Sequence, residues 1–532
     1  MRCTAVRAGV LGTVAALTMG AGVRAQAPLA PGAERATFFL LLGSDTLAVE
    51  HATRTAARLE GDLTNAKNGS RVRYEATLGP QGTVSRTEIW AYRTAVDTTP
   101  VQHALFRLVG DTMFVDAANG AHGMPTDAGA IVYLNPSTAL LEQALLRAKA
   151  LGGTTAHVPL FQSAGGRTLP LTVDWLGADS AVVSLAGTEM RIALGRGGRI
   201  TGTSIPSQNA RAVRVEGTRA ITIEKPDYSA PPGAPYTAED VVVHTPAGVR
   251  LAGTLTLPRV HPARGAPAVV LITGSGTEER DEALPGVVGY RPFRQIADTL
   301  GRRGIAVLRL DDRGAGGSDA GPEGATSADF ADDIRGALAY LRSRPDIDGS
   351  RLGLVGHSEG GMIAPMVAAS DPRLRGIVLM AGPAQSGRAI LAYQQRYAAD
   401  SVLHVPPARR DSALAAMRHS LDSVAAMQPW LRFFLDYDPL ATARTVKTPV
   451  LLLQGATDRQ VTPDQATTLA NAFRAGGNRD VTVKIFPRTD HLFLPDSSGN
   501  PSGYSKLPST RVRPEVLGSI ADWLAARLGR GA

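Results

Sequence analysis

Leu352-Gly353-Leu354-Val355-Gly356-His357-Ser358-Glu359-Gly360-Gly361 is an apolar run that ends in Gly-x-Ser-x-Gly and opens into a helix-like stretch, Met362 to Ala369. Strand, turn and helix in that order put Ser358 at a sharp chain reversal. A residue there has strained backbone angles, and the flanking glycines remove the β-carbons that would collide. The motif therefore predicts a serine held out above a sheet. Gly-x-Ser-x-Gly alone occurs often by chance, but between a buried strand and a helix it says far more than a glycine-rich turn does.

A serine hydroxyl is a poor nucleophile at neutral pH. It needs a histidine base, which in turn needs a carboxylate to fix its tautomer. Both types follow downstream at strand ends. Asp458 comes after the apolar run Val450 to Leu453, in Gln454-Gly455-Ala456-Thr457-Asp458, and His491 comes after Val481 to Phe486, in Pro487-Arg488-Thr489-Asp490-His491. Open α/β sheets place functional groups at such carboxyl ends. Asp490 competes with Asp458, but neighbouring side chains on an extended segment point apart. Asp464 lies near a helix start at Thr462-Pro463, where a capping or dipole role suits it. His357 fits packing behind the turn better than proton transfer.

Acyl transfer also needs donors for the developing oxyanion. The backbone amide of Glu359 is one. The loop Thr273-Gly274-Ser275-Gly276-Thr277, after the apolar run Ala268 to Ile272, offers Ser275 as the second, with Gly276 behind it. The adjoining charges Glu278, Glu279, Arg280, Asp281 and Glu282 read as a solvated or salt-bridged loop, with substrate binding as the alternative.

Two rhythms divide the 532 residues. From about 26 to 225 the chain alternates as antiparallel strands with one wet face do, as in Arg71-Val72-Arg73-Tyr74-Glu75-Ala76-Thr77-Leu78. Thr87 to Tyr92, Leu171 to Trp175 and Ala181 to Leu185 behave alike, separated by glycine-rich turns. One helix is expected within this part, from about Ser137 to Leu151, with Gly152-Gly153 as its stop. No propeller-like repeat is visible. Residues 226–239 are rich in proline, glycine and small side chains and read as a linker. Beyond it, runs apolar on both faces alternate with helical segments, the pattern of a mostly parallel sheet covered on both sides.

Composition sets the outer bounds. The chain is 44% hydrophobic, 20% charged and 5% aromatic, which excludes wholesale disorder. At about 100 to 200 residues per domain, two to four domains are expected. Arg2, Arg7, the apolar stretch Ala8 to Val23 and the small residues around Ala25 have the form of a cleaved export signal covering 1–25. Cys3, the only cysteine, lies before that stretch, so neither a lipid anchor there nor a thiolate site in the mature chain is expected. Without Arg2, Arg7 and Arg24, 53 of the 56 basic residues remain against 48 acidic ones, too small an excess to imply a nucleic-acid partner. No second run approaches the roughly 20 apolar residues that span a bilayer. An exported, periplasmic or extracellular chain without a stable membrane anchor is the expectation, its oligomeric state open.

The stretch from about Asp240 to Ala532 resembles α/β-hydrolases of the serine carboxylesterase and serine aminopeptidase-like branch. The resemblance is carried by Gly274-Ser275-Gly276 with Arg280-Asp281-Glu282, Asp312-Arg313-Gly314-Ala315-Gly316-Gly317-Ser318, Gly356 to Gly361, Asp458 and His491. It implies an eight-stranded, doubly wound core with Ser358, Asp458 and His491 as triad, no metal or cofactor, and Asp312 and Arg313 as loop structure. Many relatives have His-Gly where this chain has Thr273-Gly274, which leaves the second oxyanion donor open. Between Ala384 and Asp438 the strand rhythm gives way to amphipathic helical stretches, and an insertion there usually caps the site in this fold. Tyr393, Trp430 and Phe433 are candidate substrate contacts from that cap, together with Tyr397 and Phe434. Three functions stay in contention: a secreted carboxylic ester hydrolase acting on a small-molecule ester, a peptidase of the aminopeptidase or prolyl-oligopeptidase kind, and a silent binding protein built around the front β domain.

Overall fold

A computed structural model describes residues 32–529, apart from 43–44, 67–68, 93, 96, 118–119, 164–165, 186–187, 207–209, 216–225, 285–286, 288, 323 and 403–404. The expected export signal, with Cys3, and residues 216–225 just before the expected linker lie outside the described residues.

The alternating front part forms one sheet of 15 strands. Its centre is the pairing of Glu34–Leu42 with Ala210–Val215, which joins the two ends of this part of the chain. From there antiparallel hairpins run outward in both directions, and one wing ends in a parallel pairing of Ile131–Tyr133 with Thr155–Gln162. Alternate side chains of both wings enter one core: Phe38 and Leu40, Leu59 and Leu63, Leu171 and Val173, Met190 and Ile192. That core also takes Leu140, Leu141, Ala144, Leu145 and Ala148 of the helix Thr138–Leu151, so the sheet's two wings close on a single helix. Ser137 caps the helix, its hydroxyl accepting from the Leu140 amide, and Gly152 ends it at φ 78°, where a side chain would be strained.

Glu50 anchors this helix from the sheet. The carboxylate accepts from the Thr138 and Ala139 amides at 2.7 and 3.1 Å, from the Tyr74 hydroxyl at 2.7 Å, and from the Ser137 hydroxyl. A negative charge suits a helix N-terminus, and the carboxylate gives these buried donors an acceptor.

The back part is an eight-stranded sheet in the order 236–244, 250–258, 306–310, 266–272, 347–357, 376–380, 450–455, 481–486. The second strand, 250–258, pairs antiparallel with both of its neighbours, and the remaining pairings are parallel. Successive residues of each central strand feed opposite cores. Ala268 and Val270 pack with the helices Ser327–Ser343, Glu359–Ser370 and Asp464–Ala475, whereas Val269 and Leu271 pack with Pro292–Gly301 and Pro514–Leu528. This is the cause of the unbroken apolar runs, and it makes the architecture the doubly wound α/β-hydrolase sheet that was expected behind a mainly antiparallel β domain. The strand after the linker begins at Tyr236, pairing with Pro258, rather than at 240. The proline- and glycine-rich signal in fact ends at Pro235; Tyr236 is buried and already belongs to the sheet.

Between the strands Gly376–Met380 and Val450–Gly455 the helices Gly387–Tyr397, Pro407–Met427 and Pro429–Asp436 form the cap. Leu431, Phe434 and Leu435 pack there against Met362 of the core. Among the described residues no helix is long and apolar enough to cross a membrane.

Candidate active site

Parallel register brings the carboxyl ends of five strands to one edge, and the loops leaving that edge carry the chemistry. Ser358 lies between the strand Ile347–His357 and the helix Glu359–Ser370 at φ 53°, ψ −115°. Its neighbours have to be glycine. A β-carbon on Gly356 would sit 2.1 Å from the Gly360 carbonyl oxygen, and one on Gly360 would sit 2.1 Å from that of Ile272. The turn is closed by the Ser358 amide donating to Met380 O at 2.8 Å and the Gly361 amide donating to Ser358 O at 2.9 Å.

Asp458 and His491, on loops after the last two strands, meet at 2.8 Å between Oδ2 and Nδ1. Asp458 is fully buried and also accepts from the Gln460 amide, the Val461 amide and Gln454 Nε2, at 2.8 to 3.0 Å. A carboxylate held by that many donors is fixed in direction. By engaging Nδ1 it leaves Nε2 of His491 as the basic nitrogen. The rival Asp490 turns away, its Oδ1 accepting from the Leu494 amide at 2.9 Å. Asp464 is the first residue of the helix Asp464–Ala475, in agreement with a dipole role.

Ser358, His491, Ser275 and Glu359 line one cavity of about 420 Å³. The Gly274 amide is already committed, donating to Glu282 Oε1 at 2.8 Å, which leaves Ser275, with Gly276 behind it, as the candidate second oxyanion donor on this loop. The Glu359 amide opens a helix, where unpaired amides and the dipole favour negative charge.

Two of the three candidate substrate contacts are corrected by the phase of their helices. Trp430 lines the cavity, as do Leu431 and Phe434. Phe433 does not: about 100° round the helix from Phe434, it stacks on Tyr437 at 5.4 Å over a separate groove with Met366 and Thr442. Tyr393 is also displaced, because Ile390, Leu391 and Gln394 are the residues that present their face to the cavity. Trp430 is held in place by stacking on Phe434 at 5.6 Å and by donating from Nε1 to Glu359 Oε1 at 2.9 Å.

The charged loop after Gly276 divides by role. Arg280 makes a two-pronged pair with Asp311, and Asp281 pairs with Arg309, all four buried. Glu279 accepts from the Tyr228 hydroxyl at 2.8 Å, tying the linker to this loop. Glu278 and Glu282 face the cavity. Glu282 was visible only as one charge in a loop. Its Oε1 also meets His357 Nδ1 at 2.9 Å, and His357 Nε2 lies 3.0 Å from the His491 carbonyl oxygen. His357 therefore packs behind the turn and joins the Ser275 loop to the backbone that carries His491. Burial alone would lower the His357 imidazole, but Glu282, the His491 carbonyl and Asp458 together hold the group above the ordinary histidine range. Asp312 and Arg313 are loop structure as expected: Asp312 accepts from Thr273 Oγ1 and the Glu278 amide, and Arg313 pairs with Asp333. Burial pushes the Asp312 carboxyl up to about 8. Among the described residues no group of three or more His, Cys, Asp or Glu is arranged to hold a metal ion.

Residues 292–528 match the prolyl oligopeptidase family. Esterase EstD of Thermotoga maritima is 28% identical over 309 residues, which are 57% of this chain and 70% of that protein. Among solved structures, an esterase of Pyrococcus furiosus is 16% identical over 57% of this chain and 96% of its own, with a TM-score of 0.40. Est1E of Butyrivibrio proteoclasticus, bound to ferulic acid, is 15% identical over 55% of this chain and all of its own, with a TM-score of 0.37.

Proposed function

We propose that the back half of the chain is a serine hydrolase of the α/β-hydrolase superfamily and that it cleaves carboxylic esters through Ser358, His491 and Asp458. Ser358 Oγ attacks the acyl carbon while His491 Nε2 takes its proton. Asp458 holds the imidazole and stabilises its charged form. The amides of Glu359 and Ser275 receive the oxyanion. The tetrahedral species expels the alcohol, which leaves with the proton returned by His491. Water, activated by the same histidine, then releases the acid from the acyl-enzyme and restores Ser358. The steps draw on no cofactor.

The observation that carries this reading is the 2.8 Å contact of His491 with Asp458 beside a strained serine in one cavity. The esterase name of the Thermotoga relative favours esters. The match to the prolyl oligopeptidase family keeps amide cleavage as the second reading. We further propose export by residues 1–25, a small-molecule ester as substrate, and no lasting membrane anchor or nucleic-acid partner.

The test is hydrolysis of para-nitrophenyl esters from acetate to palmitate beside aminoacyl and prolyl anilides, with Ser358→Ala in parallel. Serine-dependent ester cleavage without anilide cleavage supports the proposal. Equal or faster anilide cleavage moves the enzyme to the peptidases, and silence on both panels removes the hydrolytic reading.

A further inference from the structure

Asp227 to Ser229, in the proline- and glycine-rich segment between the two sheets, are fastened to the hydrolase half. Arg294, on the helix Pro292–Gly301, donates to Asp227 O and, at 3.1 Å, to Ser229 O. Between those two anchors the Tyr228 ring lies over the Arg280 guanidinium, 4.3 Å from it. Arg280 is itself fixed, by Asp311 and by donating to Thr254 Oγ1 at 2.8 Å. The Tyr228 hydroxyl donates to Glu279 Oε2 at 2.8 Å. Burial, with Glu279 beside it, pushes that hydroxyl above the ordinary phenol range, so it stays a donor.

Glu279 is the hub of the turn that follows. Its Oε2 also accepts from the Asp281 amide at 3.1 Å, its Oε1 from the Ala283 amide at 3.0 Å, and its carbonyl oxygen from the Glu282 amide at 2.8 Å. These bonds hold Glu282 at φ 56°, a left-handed conformation that a residue other than glycine keeps only under constraint. From that position Glu282 Oε1 reaches both the Gly274 amide and His357. Gly274 precedes Ser275 on the oxyanion loop, and His357, just before Ser358, also lies 3.0 Å from the His491 carbonyl oxygen. A continuous row of hydrogen bonds thus runs from a side chain outside the hydrolase sheet to the loop and the turn on either side of the reacting centre.

Resting on the hydrolytic reading above, we propose that Tyr228 is a positioning residue for the reaction: through Glu279 and the turn it braces, it fixes the loop that presents Ser275 to the oxyanion. Tyr228 is not among the described residues that line the cavity, so it acts on the chemistry only through others. An oxyanion donor works by being in place before the charge develops. Letting it drift by about 1 Å costs the transition state far more than it costs substrate binding. Loosening the turn is therefore felt in kcat and hardly in KM. The segment between the sheets is then part of the catalytic half, and whatever disturbs it reaches the serine.

The experiment uses the full chain and Tyr228→Phe, which keeps the ring over Arg280 and removes only the hydroxyl. The expected result is a fall of about fivefold in kcat for a para-nitrophenyl ester, with KM within about twofold of wild type. A second readout is the labelling of Ser358 by a fluorophosphonate, in which Oγ displaces fluoride and the phosphoryl oxygen takes the oxyanion position. It should slow by a similar factor. Glu279→Gln should slow both further, and the double variant should be no slower than Glu279→Gln alone, because the hydroxyl acts through that carboxylate. All rates are taken well below each variant's unfolding transition. A Tyr228→Phe enzyme with unchanged kcat and labelling rate overturns the proposal, whatever its melting temperature, and so does a change confined to KM. If the wild type is labelled at Ser358 but hydrolyses no ester, the esterase reading falls and the labelling rates alone decide the role of Tyr228. Neither labelling nor hydrolysis overturns both.

Discussion

Glu50 in the front sheet and Glu278 in the back one are both buried carboxyls that burial raises above the ordinary range, yet their surroundings act in opposite directions. At Glu50 four donors, two hydroxyls and two helix amides, pull the carboxyl back toward its charged form. At Glu278 four further carboxyls push it the other way. A buried charge whose donors are all in place is part of the architecture, here the pin between a helix and the sheet around it. One whose charged neighbours are carboxyls, as at Glu278, is not stabilised in that way. Burial alone does not separate the two cases; hydrogen-bond completion does.

That contrast can be broken first at the nucleophile. Ser358→Ala should lower ester turnover by about a thousandfold or more. The unfolding transitions of both halves should stay in place or rise, and a variant that keeps its activity would remove Ser358 from the chemistry. Glu50→Ala should show the reverse profile. It leaves Tyr74, Ser137 and two helix amides without their acceptor and should destabilise the front domain by about 3 kcal/mol, seen as an earlier transition in urea. Ester turnover measured below that transition should persist. A front domain indifferent to the change would end the architectural reading of Glu50.

The cap offers a finer division. Trp430→Ala should shift the preferred acyl chain length, because the indole lines the cavity, whereas Phe433→Ala should leave that preference alone and cost only local packing against Tyr437. An identical shift in both would contradict the helix phase described above. The smallest expected effect lies in pH. Asp312 has its proton held up to about 8, against an unfolded carboxyl near 3.8. Below about pH 4 both states are protonated and the contribution is fully present. Between about 4 and 8 the unfolded state ionises while the folded one does not, so stability declines, and above 8 it levels. Asp490, held up to about 7, adds in the same sense. Asp312→Asn should flatten part of that decline in a series of thermal melts.

The site's skeleton was legible because it is written in short-range constraints. Gly356, Gly360 and Gly361 are forced by backbone contacts of 2 to 3 Å, Asp458 follows an apolar run that is a fully buried strand, and His491 follows Val481–Phe486, the half-exposed strand at the sheet's edge. The front hairpins were legible for the same reason, their alternation reporting one wet face. Their closure around one helix was not, because it depends on pairing 34–42 with 210–215 across most of that domain. Glu282 and His357, 75 residues apart, were also out of reach. Neither residue type nor spacing says that an acidic loop will fold back onto the residue before the nucleophile. Tyr393 and Phe433 show a third limit. Composition placed aromatics in the cap, but a shift of one residue along a helix turns a ring from the cavity to the outside.

The positive φ of Ser358 has a consequence for any selection imposed on this protein. A serine held there carries strain of about 1 to 3 kcal/mol, which glycine would not feel. In a screen that rewards heat tolerance and ignores turnover, Ser358→Gly should be recovered as a gain. The position most disposed to improve the fold is the one whose improvement silences the enzyme, so directed evolution of this scaffold has to keep activity in the selection at every round.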